Sequence, residues 1–113
     1  MKLFGIKSCD TCRKALKTLE QADRPVTFVD LRGDAFGAED LDRWLDKVDW
    51  ELLLNRKSTS WRALADSDKL DIDRDKARAL MLANPTLIKR PVTEAGDDIV
   101  VGFGSAQQAT LLG

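Results

Sequence analysis

The chain has 113 residues, of which 43% are hydrophobic and 33% charged, with 18 basic and 19 acidic side chains. A chain of this length buries a core as a single domain, which we expect to span residues 1–113. The net charge of -1 argues against direct nucleic-acid binding. The sequence has neither an apolar run of membrane-spanning length nor a signal-peptide pattern, so we expect a cytoplasmic protein without a membrane partner.

The N-terminal part of the chain predicts a strand, a helix and a second strand. Residues 2–6 are mostly apolar and are followed by a serine-containing turn, while residues 26–31 are rich in β-branched and aromatic side chains. A helix begins near Cys9 or Asp10, because the apolar residues that follow have helical spacing. These residues are Cys12, Ala15, Leu16 and Leu19. Such a βαβ unit predicts two parallel strands.

The remaining chain first predicts helices and then returns to strands. Helical spacing within residues 38–84 predicts a helical insertion, whose last helix covers residues 71–84. Short strands are expected at 86–89, 91–95 and 98–103, with a turn at Gly96, before a final helix whose capping box would join Ser105 to Gln108. The order βαβ, helices, ββα, with Cys9 and Cys12 as a CxxC motif between the first strand and the first helix, predicts an α/β, thioredoxin-like fold with a mixed four-stranded sheet.

Cys9 and Cys12 are the only two cysteines, and they form a CxxC motif. A structural zinc site needs four ligands, and the chain has no histidine and no second CxxC, so no metal is expected. Two cysteines cannot form a disulfide framework, and a stable structural bridge is not expected in a reducing cytosol. A CxxC motif beside a βαβ pattern instead indicates redox chemistry.

The position of the CxxC motif gives its two thiols different predicted roles. A helix N-terminus favours a thiolate, and the thiolate is the nucleophile, so Cys9 is the candidate nucleophile. The basic neighbours Lys7, Arg13 and Lys14 add positive potential. Cys12 lies on the apolar stripe of the helix and is the candidate resolving thiol, although a small buried hydrophobe is the alternative interpretation.

Three stretches of the chain together resemble one family. "LFGIKSCDTCRKA", "LLNRKSTSWRAL" and "IKRPV" occur in the order found in the ArsC-like family, which includes glutaredoxin-coupled arsenate reductases, Spx-type transcriptional regulators and a YffB-like branch. The second stretch is most similar to the YffB-like branch, whereas the CxxC motif is similar to the Spx-type redox switch. The resemblance covers nearly the whole chain and implies a thioredoxin-like fold with a helical insertion.

The resemblance also implies roles for residues outside the CxxC motif. The nucleophilic cysteine of the family matches Cys9, and the arginine before its cis proline matches Arg90, which implies a cis bond between Arg90 and Pro91. A second basic position falls on Arg56, with Lys57 or Asn55 as alternatives if the alignment shifts by one residue. The guanidinium groups of Arg90 and Arg56 suit oxyanions and carboxylates, and without the family a solvated surface role is the alternative for each.

The resemblance supports several functional hypotheses. The first is a thiol oxidoreductase that uses glutathione or glutaredoxin, binds no cofactor, and acts on a disulfide or a small oxyanion. The second is an Spx-like regulator that binds the RNA polymerase alpha subunit. The third is arsenate reduction, but the family's third arginine is missing, since the matching segment reads "IVVGFGS" around Gly102. A purely structural role is a fourth interpretation.

Overall fold

A computed structural model describes the whole chain, residues 1–113. In chain order, its elements are β1 (Lys2–Gly5), α1 (Asp10–Gln21), β2 (Thr27–Asp30), α2 (Ala38–Leu45), α3 (Trp50–Leu53), α4 (Thr59–Arg62), α5 (Arg74–Ala83), β3 (Val92–Ala95), β4 (Asp98–Val101) and α6 (Ser105–Leu112). Short 3₁₀ helices cover Asp66–Lys69 and Pro85–Leu87. None of the helices combines the length and the apolar character that crossing a membrane requires.

The four strands form one mixed sheet in the order β2-β1-β3-β4. β1 runs parallel to β2, and Leu3 is paired with Phe28. β3 runs antiparallel to both β1 and β4, so that Thr93 lies between Leu3 and Val100. The predicted α/β, thioredoxin-like class with a mixed four-stranded sheet is therefore confirmed.

The chain forms two compact units. The first unit contains residues 1–36 and 90–113, and it holds the whole sheet together with α1 and α6. Its apolar core lies on the sheet face that carries Leu3, and α1 contributes to it through helically spaced side chains. The buried members of this core are Leu3, Ala15, Leu19, Val100, Phe103 and Leu111.

The second unit, residues 37–89, is helical and contains α2 to α5. α5 packs against α2, α3 and the 3₁₀ helix Pro85–Leu87. Arg78 of α5 donates to both carboxylate oxygens of Asp42 in α2, at 2.6 and 3.1 Å. The carboxylate of Asp42 consequently has a pKa below its usual range, chiefly because of this hydrogen-bonded guanidinium.

The structure corrects the predicted strand at 86–89. Pro85–Leu87 forms a 3₁₀ helix, and Ile88 makes only an isolated bridge with Leu54. The chain turns here because the N–H of Leu87 donates to the carbonyl of Asn84 and that of Ile88 to the carbonyl of Pro85. Two consecutive buried residues, Leu87 and Ile88, produced the apolar run that resembled a strand.

Two helix starts also differ from the sequence prediction. α5 begins after Asp73, whose carboxylate accepts from the N–H of Lys76 at 2.8 Å, rather than at residue 71. α6 is preceded by Gly104, whose N–H donates to the side chain of Gln107 at 2.9 Å. The predicted pair of Ser105 and Gln108 was therefore displaced by one residue, and only the Gln107 half of the capping box forms, because the glycine at the N-cap has no side chain to accept in return.

Candidate active site

Cys9 lies at the N-cap of α1, immediately after the turn that leaves β1. Its N–H donates to the carbonyl of Ile6 at 3.0 Å, and its carbonyl accepts the first helical hydrogen bond, from Arg13, also at 3.0 Å. The backbone on both sides of the residue is therefore fixed, and its side chain is partly exposed. The predicted position of Cys9 at the helix start is confirmed.

The surroundings of Cys9 favour its charged form. Partial burial alone would raise the pKa of the Cys9 thiol, but the hydrogen bonds around the sulfur outweigh it and lower the pKa below its ordinary value. They come from the N–H groups of Cys12 and Thr11, the thiol of Cys12 and the side chain of Arg90. The sulfur thus receives two free N–H groups of the helix N-terminus and one guanidinium, which is the environment of a reactive thiolate.

Cys12 has the opposite environment. Its side chain is completely buried on the core side of α1. Burial, together with the hydrogen bond and the negative charge of Cys9, raises the pKa of the Cys12 thiol to about 11, although the N–H of Ile6 and the charge of Arg90 oppose this. Cys12 therefore stays protonated to a higher pH than Cys9, and the predicted difference between the two thiols has a physical basis.

Arg90 and Pro91 complete the cysteine site, a name used here for Cys9, Cys12, Arg90 and Pro91. The peptide bond between Arg90 and Pro91 is cis, as the family resemblance implied. Pro91 is buried, and its carbonyl accepts from the N–H of Gly102 at 2.8 Å. Because β3 runs antiparallel to β1, the residues before β3 lie beside those that follow β1, and this topology brings Arg90 to the sulfur of Cys9.

The other basic residues predicted near the motif are more exposed. Lys7 is exposed on the turn before Cys9. Arg13 forms an ion pair with Asp10 one turn into α1, and both side chains are largely exposed. Much of the positive potential of Arg13 is consequently offset by a neighbouring carboxylate, whereas Arg90 contacts the sulfur directly.

Arg56 lies in the second unit and contacts aromatic rings. Its guanidinium carbon is 5.8 Å from the ring centroid of Trp50 and 5.7 Å from that of Trp61. The ammonium of Lys69 is 5.7 Å from the Trp61 centroid as well. We call these four residues the tryptophan–arginine cluster. Arg56 is exposed and forms no salt bridge, so its N–H groups are available to an anion.

The structure holds no group of three or more histidine, cysteine, aspartate or glutamate side chains placed so that it could bind a metal ion. The cysteine site offers a thiol with a lowered pKa, a buried thiol and a guanidinium.

Comparisons with known proteins identify the family of the chain. The model of the ArsC family matches residues 4–111. The chain belongs to the ArsC family. An uncharacterised protein of Haemophilus influenzae is 34% identical over 105 residues, which cover 93% of this chain and 92% of that protein.

Solved structures of ArsC-family members extend the comparison. The YffB protein superposes with a TM-score of 0.92 at 40% identity, over 99% of this chain and 98% of that one. An arsenate reductase related protein from Brucella melitensis has a TM-score of 0.77 at 44% identity, over 96% of this chain and 91% of that one. These similarities confirm the resemblance inferred from the sequence and agree with the YffB-like branch.

Gly102, at or next to the position where the resemblance implies a third arginine, has an unusual backbone conformation. Gly102 is buried and has a φ of +87°, a backbone conformation that residues with a Cβ rarely adopt. Its N–H donates a hydrogen bond to the carbonyl of Pro91. The chain therefore uses this position to support the cis-proline loop, where an arginine side chain would strain the backbone.

Some residues of these sites escaped the sequence analysis. The backbone of Ile6 contacts both cysteines, accepting from the N–H of Cys9 and donating toward Cys12. Trp50 and Lys69 join Arg56 and Trp61 from separate helices. No local pattern indicates either role, because a backbone group has no sequence signature and the two residues are far from Arg56 along the chain.

Proposed function

We propose that this ArsC-family protein is a thiol oxidoreductase that uses glutathione, with Cys9 as the nucleophile and Cys12 as the resolving thiol. The observation that carries the proposal is the opposite polarity of two thiols in contact. The pKa of the Cys9 thiol is lowered, and that of the Cys12 thiol is raised to about 11. With such a pair, the thiol of lower pKa attacks first as a thiolate, and the thiol of higher pKa reacts afterwards.

The first chemical step is attack of the Cys9 thiolate on a disulfide. The new bond joins the Cys9 sulfur to one sulfur of the substrate, and the other substrate sulfur leaves as a thiolate. The hydrogen bond from Arg90 and the N–H groups of Thr11 and Cys12 hold Cys9 ready for this attack. They stabilise the charge on Cys9 before the reaction and on a departing Cys9 thiolate when the reaction reverses.

The second step is attack of Cys12 on the Cys9 sulfur. The Cys12 thiol gives up its proton to the departing thiolate, the Cys9–Cys12 bond forms, and the second half of the substrate leaves as a thiol. Once Cys9 is bonded to the substrate, its negative charge no longer raises the pKa of Cys12, so the second thiol becomes easier to ionise. Two molecules of glutathione, or a glutaredoxin, would then reduce the bridge and restore both thiols.

The two arginines are candidate anion contacts, each within its own unit. Glutathione carries two carboxylates, and a guanidinium binds a carboxylate through two parallel hydrogen bonds. Arg90 contacts the reactive sulfur, which suits it to a group attached to the substrate close to its own sulfur. Arg56 has no carboxylate partner in the protein and is a candidate anion-binding residue of the second unit.

The test is intact-mass spectrometry of the reduced protein after exposure to oxidised glutathione at neutral pH. We expect the native protein to lose two hydrogens as the Cys9–Cys12 bridge forms. Cys12→Ser should stop at one glutathione adduct on Cys9, and Cys9→Ser should give neither product and no disulfide-reductase turnover. An unchanged native mass, or turnover that survives Cys9→Ser, would contradict the proposal.

A redox-regulated binding protein of the Spx type is the second candidate. The hydrogen bond between the two thiols favours it, since a Cys9–Cys12 bridge would join side chains that are already neighbours. The partner would be the C-terminal domain of the RNA polymerase alpha subunit. A pull-down with that domain, using the reduced and the bridged protein, decides the matter: binding in only one redox state supports regulation, and no binding in either dismisses it.

Arsenate reduction is supported less well by the site. The related Brucella melitensis protein is described as arsenate reductase related, and Cys9 with Arg90 could engage a small oxyanion. Three arginines would share the charge of an arsenate adduct, but the third position falls on Gly102 or its neighbour, where there is no arginine and where Gly102 has a φ of +87°. We expect no restored growth when the gene is expressed in an arsenate-sensitive strain, and restored growth would establish the activity.

A further inference from the structure

Gly5, the last residue of β1, lies directly beneath the sulfur of Cys12. A Cβ built on Gly5 would be 2.5 Å from the Cys12 Sγ and 3.2 Å from the Cys12 Cβ. Carbon and sulfur atoms without a bond between them do not approach so closely, since favourable contacts between heavy atoms lie near 3.5–4.0 Å. The sulfur therefore occupies space that only a glycine at residue 5 leaves open.

The backbone at Gly5 cannot easily move away from Cys12. On one side, its carbonyl accepts from the N–H of Leu31 at 2.9 Å, in continuation of the parallel pairing with β2. On the other side, the antiparallel register pairs Phe4, the residue before Gly5, with Val92 of β3. Any side chain at residue 5 must consequently displace Cys12 rather than the strand.

Both ways of displacing Cys12 would separate it from Cys9. Rotation about the Cα–Cβ bond would relieve the 2.5 Å contact, but it would turn the sulfur away from its present position. The 3.2 Å contact involves the Cβ itself and is unaffected by rotation, so the Cβ of Cys12 would also have to move by a few tenths of an ångström. In either case, the hydrogen bond between the two sulfurs is lost or lengthened.

We propose that Gly5 is a positioning residue for the resolving step, because its missing Cβ lets the Cys12 sulfur reach the Cys9 sulfur. This inference rests on the proposed thiol oxidoreductase function. The two chemical steps depend on Gly5 differently. The first attack does not need the space above Gly5, because Cys9 is held by the carbonyl of Ile6 and by the N-terminus of α1. Formation of the Cys9–Cys12 bridge does need that space.

The test compares Gly5→Ala with the native protein by time-resolved intact-mass spectrometry after mixing with oxidised glutathione. We expect the glutathione adduct on Cys9 to form at nearly the native rate and then to accumulate. Loss of the adduct to the Cys9–Cys12 bridge should slow by roughly 10- to 100-fold, since small misplacements of reacting groups have effects of this size. Gly37→Ala is the matched control, because a Cβ on Gly37 meets no atom within 4 Å.

A stability cycle tests the contact independently of the chemistry. Unfolding in urea is measured for the reduced native protein, Gly5→Ala, Cys12→Ala and the double variant. We expect Gly5→Ala to be destabilising, and less so when Cys12→Ala has removed the sulfur. If Gly5→Ala alone fails to fold, a folded double variant supports the proposal, and failure of both to fold overturns it.

The outcomes distinguish this inference from the proposed function. A native protein that forms neither an adduct nor a bridge would overturn the function and the resolving role together, while the stability cycle would still decide whether Gly5 makes room for Cys12. A native protein that forms the bridge, with Gly5→Ala closing it as fast as Gly37→Ala does, would overturn only the role of Gly5. An adduct that persists in Gly5→Ala alone is the result that supports it.

Discussion

The cysteine site and the tryptophan–arginine cluster both present arginine side chains, but they hold them in different ways. In the cysteine site, Arg90 donates a hydrogen bond to a defined acceptor, the sulfur of Cys9, beside N–H groups that point to the same atom. In the cluster, Arg56 lies against the rings of Trp50 and Trp61 without a salt bridge. One arginine is committed to an atom of the protein, and the other keeps its donors free.

The difference has a chemical consequence. Directional hydrogen bonds to a partly buried sulfur change its protonation, because they favour one charge state over the other. Contacts between a guanidinium and an aromatic face hold the charge in place and leave the edge of its plane open. We therefore expect changes in the cysteine site to alter reactivity and changes in the cluster to alter binding and, slightly, stability.

The largest expected effect lies within the cysteine site, between its two thiols. At neutral pH, alkylation by iodoacetamide should modify Cys9 at least about 100-fold faster than Cys12, since a difference of two pKa units is a hundredfold difference in thiolate. The pKa of Cys12 is raised to about 11, and that of Cys9 is lowered. The Cys9 rate should fall as the pH drops through its lowered pKa, whereas Cys12 should react only as the pH approaches 11.

Peptide mapping of the alkylated protein across pH 5–11 measures both rates, a range chosen to span the two pKa values. The urea-unfolded protein is the control, in which both thiols should titrate alike at their ordinary pKa. Equal reactivity of Cys9 and Cys12 in the folded protein would show that the site does not polarise them.

Replacing the two arginines in parallel gives the next largest effect. Arg90→Ala removes a hydrogen bond to the Cys9 sulfur, so the pKa of Cys9 should rise and its alkylation below that pKa should slow roughly 3- to 10-fold. Arg56→Ala should leave alkylation by this small neutral reagent unchanged, because Arg56 contacts only the two indole rings. The comparison fails if the two variants slow the reaction equally.

The smallest expected effect is on stability. Arg56→Ala should lower the free energy of unfolding by about 0.5–1 kcal/mol, the size of exposed cation–π contacts. Urea unfolding followed by tryptophan fluorescence measures the loss, and Lys69→Ala is the matched control, since Lys69 contacts only Trp61 among the indoles. A loss above about 2 kcal/mol would mean that Arg56 has a structural role beyond these contacts.

Local sequence patterns predicted much of the fold because their causes are local. The helical spacing of apolar residues placed α1, and the CxxC motif at its start placed Cys9 at the N-cap. The strand predicted at 86–89 was wrong because a strand needs a neighbouring extended segment to pair with, and only Ile88 pairs, in a single bridge. A short apolar run is the same in a buried turn as in a strand.

The sequence by itself determined the βαβ start, the ββα end, and the exposed and buried positions of the two cysteines, since each follows from spacing within one element. Only the tertiary structure decided what surrounds them. It brought Arg90 to the Cys9 sulfur, placed the N–H of Gly102 where it donates to the carbonyl of Pro91, and placed the Cys12 sulfur over Gly5. These contacts depend on the pairing of β1 with β3 and on the packing of α1 against the sheet. Both bring together side chains whose proximity cannot be read from spacing along the chain.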